Sequence, residues 1–179
     1  MTTTRPQSRT LGDLLDELAA ATPQAPAVVS GTEVSGIVRL DFAGLKARTD
    51  GFARALLALG IGRGDRVALL CSNRSEWVVA ACAAAKLGAP VAAISTFSSP
   101  RELAYALKHS GAKALVMLSR FRDRHFLQEL ADGRGKRGRL KVVGGNVDGD
   151  VPGHAHQGPF RLVAEGPAQD PRRQRFDQT

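Results

Sequence analysis

The sequence predicts an α/β fold in which a mostly parallel sheet is flanked by helices. Three short apolar runs alternate with two helical segments between residues 66 and 118, and the connections between them are short. The chain of 179 residues with 43% apolar content is long enough for one domain with a core. We therefore expect strands that are buried on both faces and joined by right-handed crossovers.

The N-terminal part predicts a helix, a hairpin and a second helix. Thr10 and Asp13 form a capping pattern for a helix over Leu11–Ala21. Two short strands around a glycine turn precede a helix over Ala43–Leu59, with Gly60 as its C′ residue. The strands are Ala27–Val29 and Ile37–Asp41, and the turn is Gly31–Gly36. The predicted apolar face of the first helix consists of Leu11, Leu14, Leu15 and Leu18, and that of the second helix consists of Leu45, Phe52, Leu56 and Leu57.

The central segment predicts the parallel sheet. Ser99 is placed as an N-cap, with Pro100 at the first helical position and Glu102 at the third, and Gly111 ends that helix. The predicted elements are a strand at Arg66–Cys71, a helix at Ser75–Leu87 ended by Gly88, a strand at Pro90–Ile94, a helix to Ser110 and a strand at Ala114–Leu118.

The composition changes after about Leu130. Residues 131–179 hold 9 of the 19 glycines and 4 of the 9 prolines, so we expect a divergent and poorly ordered tail there. Within it, Leu140–Val143 and Phe160–Val163 are typical of strands. A change of reading frame near Leu130 is one hypothesis for the shift. Residues 1–9 are expected to be a disordered N-terminus and residues 10–130 the folded domain.

The formal charge of +8 raises the possibility of nucleic-acid binding. Residues 1–130 carry 16 Lys and Arg against 11 Asp and Glu, so the excess is spread along the chain. The densest basic run, Arg134–Lys141, contains no aromatic residue that could stack on bases. A solvated loop is the favoured interpretation, and a basic RNA-binding protein is the weaker alternative.

Compartment and cysteine usage agree with a cytoplasmic protein. No apolar run is long enough to span a bilayer, and the first ten residues are polar rather than signal-like. Cys71 and Cys82 lie in a predicted strand and helix, where we expect them to pack as small apolar residues rather than form a disulfide or bind a metal.

Each candidate for chemistry has a structural alternative that we favour. The glycines of Gly60–Gly64 follow a helix and precede a strand, which is the reverse of a phosphate-binding loop, and Asp65 is expected to bond a backbone N–H of that turn. Lys86 is expected to cap its helix rather than catalyse, while Trp77 and Phe97 are expected to pack in the core or an interface. The remaining candidates are His109 at a helix end, His125 in a charged segment, and the metal-like set Asp148, Asp150, His154 and His156.

Several motifs in a fixed order resemble the N-terminal part of the AMP-forming acyl-CoA synthetases, which belong to the adenylate-forming enzymes. The resemblance covers about residues 10–130. The motifs are Leu40–Leu45, Gly60–Ala68, Asn73–Trp77, Ala85–Ala89, Ser99–Leu103 and His109–Val116. Ser95–Ser99 is closer to acyl- or aryl-CoA ligases than to peptide-synthetase domains.

The resemblance implies an enzyme that uses ATP, Mg²⁺ and CoA to convert a carboxylic acid into an acyl-CoA through an acyl-adenylate. The family's nucleotide loop, ribose site and C-terminal lysine have no counterpart here, so no catalytic, cofactor-binding or metal residue is assigned. We expect a fragment that is inactive alone and binds no cofactor by itself. The alternative is a non-catalytic interaction module that packs against the remainder of a ligase or a homologous chain, with neither a nucleic-acid partner nor a membrane span.

Overall fold

The computed structural model describes residues 10–32, 36–132, 140–145 and 161–163 of the chain. The N-terminal elements match the predicted order, with small differences at their ends. They are α1 (Leu11–Ala21), β1 (Pro26–Thr32), β2 (Gly36–Asp41) and α2 (Phe42–Ala58). The alternating part that follows consists of β3 (Val67–Leu70), α3 (Ser75–Lys86), β4 (Val91–Ala93), α4 (Pro100–Ser110) and β5 (Ala114–Leu118).

Five further short elements complete the described fold. Three of them, a small hairpin and a helix, have no counterpart in the sequence-based prediction. They are β6 (Arg120–Phe121), β7 (Arg124–His125), α5 (Phe126–Asp132), β8 (Lys141–Gly145) and β9 (Arg161–Val163).

A five-stranded sheet forms the centre, in the order β4-β3-β5-β8-β9. The first four strands are parallel, and β9 is antiparallel to β8. Strands β1 and β2 form a separate antiparallel hairpin, as do β6 and β7. The predicted α/β fold with a mostly parallel sheet and flanking helices is confirmed.

Alternating side chains of the sheet divide the core into two layers, because successive residues of a strand face opposite sides. Val67, Leu69 and Val116 pack on the side of α1, α2 and α3. Ala68, Leu70, Leu115, Met117 and Val142 lie on the other side, together with residues of α4 and α5. Both faces of the sheet are therefore covered, which explains why β3 and β5 are continuous apolar runs.

Helix ends follow the capping patterns in the sequence. The Asp13 N–H donates to the Thr10 hydroxyl at 3.1 Å, and the Ser99 N–H donates to the Glu102 carboxylate at 2.7 Å. Both helices therefore start with the reciprocal bonds of a capping box. Gly111 ends α4 with φ of 61°, a left-handed conformation that favours glycine.

The predicted apolar faces are wrong at three leucines. Leu11, Leu14 and Leu57 are 53%, 39% and 54% exposed. Helix α1 instead packs along Gly12, Leu15 and Ala19, where a Cβ on Gly12 would lie 2.8 Å from the Lys86 Cγ. The absent side chain brings α1 close to α3, and that approach rotates the first leucines toward solvent.

The region after Leu130 differs from the expected poorly ordered tail at residues 141–145. Val142 and Val143 are buried on opposite sides of the sheet, so β8 adds a strand to the core. The prediction of strands at Leu140–Val143 and Phe160–Val163 corresponds to β8 and β9. Residues 1–9, most of Arg134–Lys141, the metal-like set Asp148 to His156 and the segment after 163 lie outside the described residues.

Candidate functional site

An open cleft of about 770 Å³ lies at the carboxyl ends of β3, β4 and β5. Its walls are the three loops that follow these strands, and the β1–β2 hairpin contributes one side. In the sheet, β4 lies on one side of β3 and β5 lies on the other, so the chain reverses direction across the sheet at β3. A cleft at such a reversal of strand order is the usual ligand site of open α/β sheets.

The loop after β3 forms the first wall. Its N–H at Ser75 donates to the Ser30 hydroxyl at 3.1 Å, which ties the wall to the β1–β2 hairpin. Arg74 forms an ion pair with Glu76 at 3.4 Å, and the half-buried Trp77 completes the lining. Burial raises the pKa of the neighbouring Cys71 thiol to about 11, so this thiol is protonated at neutral pH and is a weak nucleophile.

The loop after β4 presents an aromatic side chain to solvent. Phe97 is 71% exposed, and its ring meets that of Phe121 edge to face with centroids 5.9 Å apart. Of the two places expected for Phe97, the core is therefore ruled out, and packing in an interface stays a prediction. Its neighbours point inward instead, because Thr96 is buried and Ser98 is half-buried.

The β6–β7 hairpin after β5 contributes two arginines, Arg122 and Arg124, that have different roles. Arg124 donates to the carbonyls of Thr96 and Ser98 at 2.8 and 2.6 Å, and it forms an ion pair with Glu129. Arg122 holds its guanidinium 5.3 Å from the centre of the Phe97 ring. Sequence reasoning missed this group, although arginines at every second position from Arg120 to Arg124 were a signal of a short charged hairpin.

The glycine-rich segment lies at the opposite end of the sheet. As expected, Asp65 accepts a hydrogen bond from the Gly62 N–H at 2.9 Å and organises a turn. Lys113 donates to the Gly60 carbonyl at 3.0 Å and to Asp65 at 2.9 Å. Gly60–Gly64 is therefore a helix-to-strand turn braced by a lysine.

Lys86 lies in the last turn of α3, where a cation was expected to favour the helix dipole, and it also joins three helices. Its ammonium donates to Asp16 of α1 at 2.5 Å and to Asp50 of α2 at 2.6 Å. Partial burial acts to lower the pKa of Lys86, but the two carboxylate bonds outweigh burial and raise it. Lys46 also pairs with both aspartates, so the network fixes the helical layer far from the cleft.

The other candidate residues do not converge on a site. His109 stacks on Tyr105 at the exposed end of α4, with ring centroids 5.4 Å apart, and His125 ends β7. Cys71 and Cys82 are both free, and Cys82 is buried. Among the residues that the structure describes, no three His, Cys, Asp or Glu side chains lie together as a metal site, and no helix has the length and apolarity to cross a bilayer.

Comparison with known proteins identifies acyl-CoA synthetases and ligases among the relatives of this chain. Residues 15–171 match the family model described as AMP-binding enzyme. The matched range continues past Leu130. The chain is 38% identical over 113 residues to the putative acyl-CoA synthetase YngI of Bacillus subtilis, covering 63% of this chain and 20% of the relative. It is 34% identical over 123 residues to the human mitochondrial medium-chain acyl-CoA ligase ACSF2, covering 69% and 20%.

Solved structures of CoA ligases have a similar fold over most of this chain. The N-terminal domain of FACL13 from Mycobacterium tuberculosis superposes with a TM-score of 0.65 at 31% identity, over 76% of this chain and 34% of that one. The anthranilate CoA ligase AuaEII, in complex with anthranoyl-AMP, superposes with a TM-score of 0.64 at 25% identity, over 78% and 25%. The chain spans about one fifth of the length of the curated relatives that it matches.

Proposed function

This chain belongs to the AMP-binding enzyme family, and we propose that it forms the N-terminal α/β part of an acyl-CoA ligase, to which it contributes a substrate-binding cleft. One observation carries the proposal. The motif Asn73–Trp77 and the first three residues of the motif Ser95–Ser99 line the cleft at the carboxyl ends of β3 and β4. Motif and cleft therefore coincide at the place where this class of fold binds ligands.

The proposed reaction of the assembled ligase joins a carboxylic acid to CoA at the expense of ATP, through an acyl-adenylate and pyrophosphate. Such chemistry needs positive charge and metal close to the phosphates. The described residues do not fit a Mg²⁺ site, because they bring no three metal-binding side chains together and the cleft carboxylate Glu76 is paired with Arg74. We therefore assign binding to this chain and derive no step through the metal.

Two measurements on the full chain test this assignment. Trp77 is the single tryptophan and lines the cleft, so its fluorescence reports ligands that enter there. In place of the sequence-based expectation that the fragment binds no cofactor by itself, we propose that the cleft binds ligands, so that the fluorescence changes on addition of CoA, ATP or medium- and long-chain fatty acids. We expect no pyrophosphate release when ATP, Mg²⁺, CoA and the same acids are supplied together. If none of these ligands changes the Trp77 fluorescence, the cleft does not bind them and the proposal is refuted. If pyrophosphate is released, the chain catalyses the reaction and the assignment of binding without catalysis is refuted.

The second candidate is an interaction module that packs against another ligase chain. Val29 and Ile37 are 54% and 61% exposed on the two strands of the hairpin that borders the cleft, where they leave apolar surface open to a partner. Sedimentation equilibrium would measure self-association, and a mass that stays monomeric across a wide concentration range excludes a homodimer. Val29→Thr with Ile37→Thr is expected to weaken any dimer without changing the Trp77 response to ligands.

The basic charge gives little support for RNA binding. Several cations bond the protein's own backbone instead of forming a stripe on one face. Arg66 donates to the Ser110 carbonyl at 3.2 Å, and Lys113 and Lys141 donate to carbonyls at the end of α2. We expect no nucleic-acid binding in low salt, where electrostatic association is strongest.

A further inference from the structure

Strand β4 is an open edge of the central sheet. It lies at one end of the strand order β4-β3-β5-β8-β9, and within the described part of the chain it pairs with β3 alone. Val91 and Ala93 of this strand are exposed, whereas every residue of β3 and β5 is buried. The sheet is therefore covered on both faces at its centre but open along β4.

The hydrogen bonds of β4 show which of its main-chain groups have no partner in the sheet. The Pro90 carbonyl accepts a bond from β3 at 3.0 Å, and the Ile94 N–H donates to β3 at 2.8 Å. Successive residues of a strand direct their main-chain groups to alternate sides. Val91 and Ala93 therefore point their N–H and C=O groups away from β3, where an added strand can bond to them.

The segment around β4 has no charged residue to keep another strand away. Natural edge strands are commonly protected by lysines or by bulges. Residues 87–100 contain no Lys, Arg, Asp or Glu, and β4 runs in continuous register with β3. The whole chain has a formal charge of +8, so two copies repel each other at long range. A charge-free edge is a place where two copies can approach with little local repulsion.

We propose that the β4 edge binds a second copy of this chain, by antiparallel pairing of the two β4 strands about a two-fold axis at Ala92. Val91 of one copy then lies opposite Ala93 of the other, and each such pair exchanges its N–H and C=O groups. The same pattern satisfies both copies, as a two-fold contact requires. Because β4 has three residues, the contact is short and the dimer is weak, with a Kd of about 100 µM.

This pairing does not depend on ligand binding in the cleft, and it uses a different surface from the exposed hairpin face of Val29 and Ile37. Sedimentation equilibrium of the full chain from about 5 to about 500 µM measures it. We expect the mass to rise from monomer toward dimer, and to rise further when about 200 mM salt screens the repulsion between like-charged copies. A chain that stays monomeric overturns the proposal. So do species larger than a dimer, since a two-fold contact closes after two copies.

Nuclear magnetic resonance over the same concentrations locates the contact. The amide signals of Val91 and Ala93 should shift along the same curve as the mass, because their N–H groups gain partners in the dimer. The amides of Val29 and Ile37 are the control and should stay in place. Shifts at the hairpin without shifts at β4 would assign self-association to the hairpin and overturn the proposal.

Val91→Lys blocks the edge, because a lysine on an edge strand hinders pairing and Val91 lies outside the cleft lining. The Kd should rise at least about tenfold. Leu57→Lys is the matched control, since it adds the same charge at a residue that is 54% exposed on α2, and its Kd should stay within about twofold. An unchanged Kd in Val91→Lys would overturn the proposal.

Ala93→Pro is a second test that adds no charge. Proline removes the outward N–H of this residue and leaves the bonds between β4 and β3 intact, so it should also weaken the dimer. Circular dichroism checks that both variants are folded. The proposed function fails separately, because it depends on the Trp77 response to ligands in the parent chain and not on the mass of the chain.

Discussion

At the amino ends of the parallel strands, Lys113 and Lys141 donate to the carbonyls of Gly60 and Leu59, which end helix α2. At the carboxyl ends of the same strands, Arg122 stands over two aromatic rings at the mouth of an open cleft. Cations at a helix C-terminus neutralise unpaired carbonyls and the helix dipole. Positively charged side chains therefore stabilise the end of a helix at one edge of the sheet, whereas at the opposite edge the charge of Arg122 remains available to a ligand.

The largest expected difference concerns Cys71 at the floor of the cleft. With its pKa raised to about 11 by burial, the thiolate fraction at pH 8 is about a hundredfold below that of an ordinary thiol with pKa near 9. A thiolate of higher pKa is more nucleophilic, which offsets about half of this loss on a logarithmic scale. We therefore expect Cys71 to react at least about tenfold more slowly with an aromatic disulfide reagent in the native chain than in urea, with Cys82→Ala as background so that one thiol is observed. Equal rates in the two states would show that the cleft floor is open to solvent.

The next effect separates two arginines of one hairpin. Arg124→Ala should lower the free energy of unfolding by about 2 kcal/mol, since it leaves two carbonyls and the half-buried Glu129 without their partner. Arg122→Gly is the matched control and should leave stability equal or slightly higher, because it removes a positive φ from a non-glycine residue. Urea unfolding measures both. Equal losses would contradict the division of the cleft hairpin into an anchor and a ligand-facing cation.

A smaller effect is expected from a glycine at the amino end. Gly88 has φ of 65°, and a Cβ there would lie 3.1 Å from the Arg63 Cγ. Gly88→Ala should therefore cost about 1 kcal/mol, most of it backbone strain because the exposed Arg63 side chain can move. Gly62→Ala is the control, since a Cβ at that position would have no atom within 4 Å and the φ of Gly62 is not positive. Ligand binding at the cleft should be unchanged in both, and a loss of binding in either would break the separation of the two ends.

The smallest expected effect is a dependence of folding stability on pH in the acidic range. A hydrogen bond from Lys113 and one from the Gly62 N–H lower the pKa of Asp65 below its usual value. A carboxyl whose native pKa lies below the unfolded value stabilises the fold above about pH 4, and that stability is lost as pH falls through the native pKa. Asp65→Asn should flatten the fall in the urea midpoint between about pH 4 and pH 2.

A double-mutant cycle identifies the partner that causes this dependence. Lys113→Met should flatten the same part of the curve, and the double variant should add little to either single change, because the two side chains form one interaction. Additive effects of the two substitutions would assign the pH dependence to other carboxylates, such as Asp16 and Asp50 in the helical layer.

Much of the fold could be predicted because its signals are local. The hydroxyl of Ser99 and the carboxylate of Glu102 meet across one helical turn, so four residues of sequence are enough to place the start of α4. The buried strand β5 was equally clear, since a run of five apolar residues has to be covered on both faces.

The candidate site was harder to predict because its parts are distant in sequence. Arg124 meets the carbonyls of Thr96 and Ser98, which lie 28 and 26 residues away. The same limitation applied to Lys86, whose partner Asp16 is 70 residues away, and to the orientation of α1. A periodic pattern states that a helix has an apolar face but not which neighbour sets its rotation, so Leu11 and Leu14 were misplaced.

The sequence by itself determined helices α1 to α4, the buried strands, the glycine turns and the family resemblance, because capping, periodicity and turn chemistry act within a few residues. Tertiary structure alone decided which loops meet at the cleft, which lysines brace the amino ends, and that Phe97 is held facing solvent. Those outcomes depend on the strand order β4-β3-β5-β8-β9, which brings loops from distant parts of the chain to one edge of the sheet. Contacts of that kind are set by the packing of the whole sheet, so no short segment of the chain encodes them.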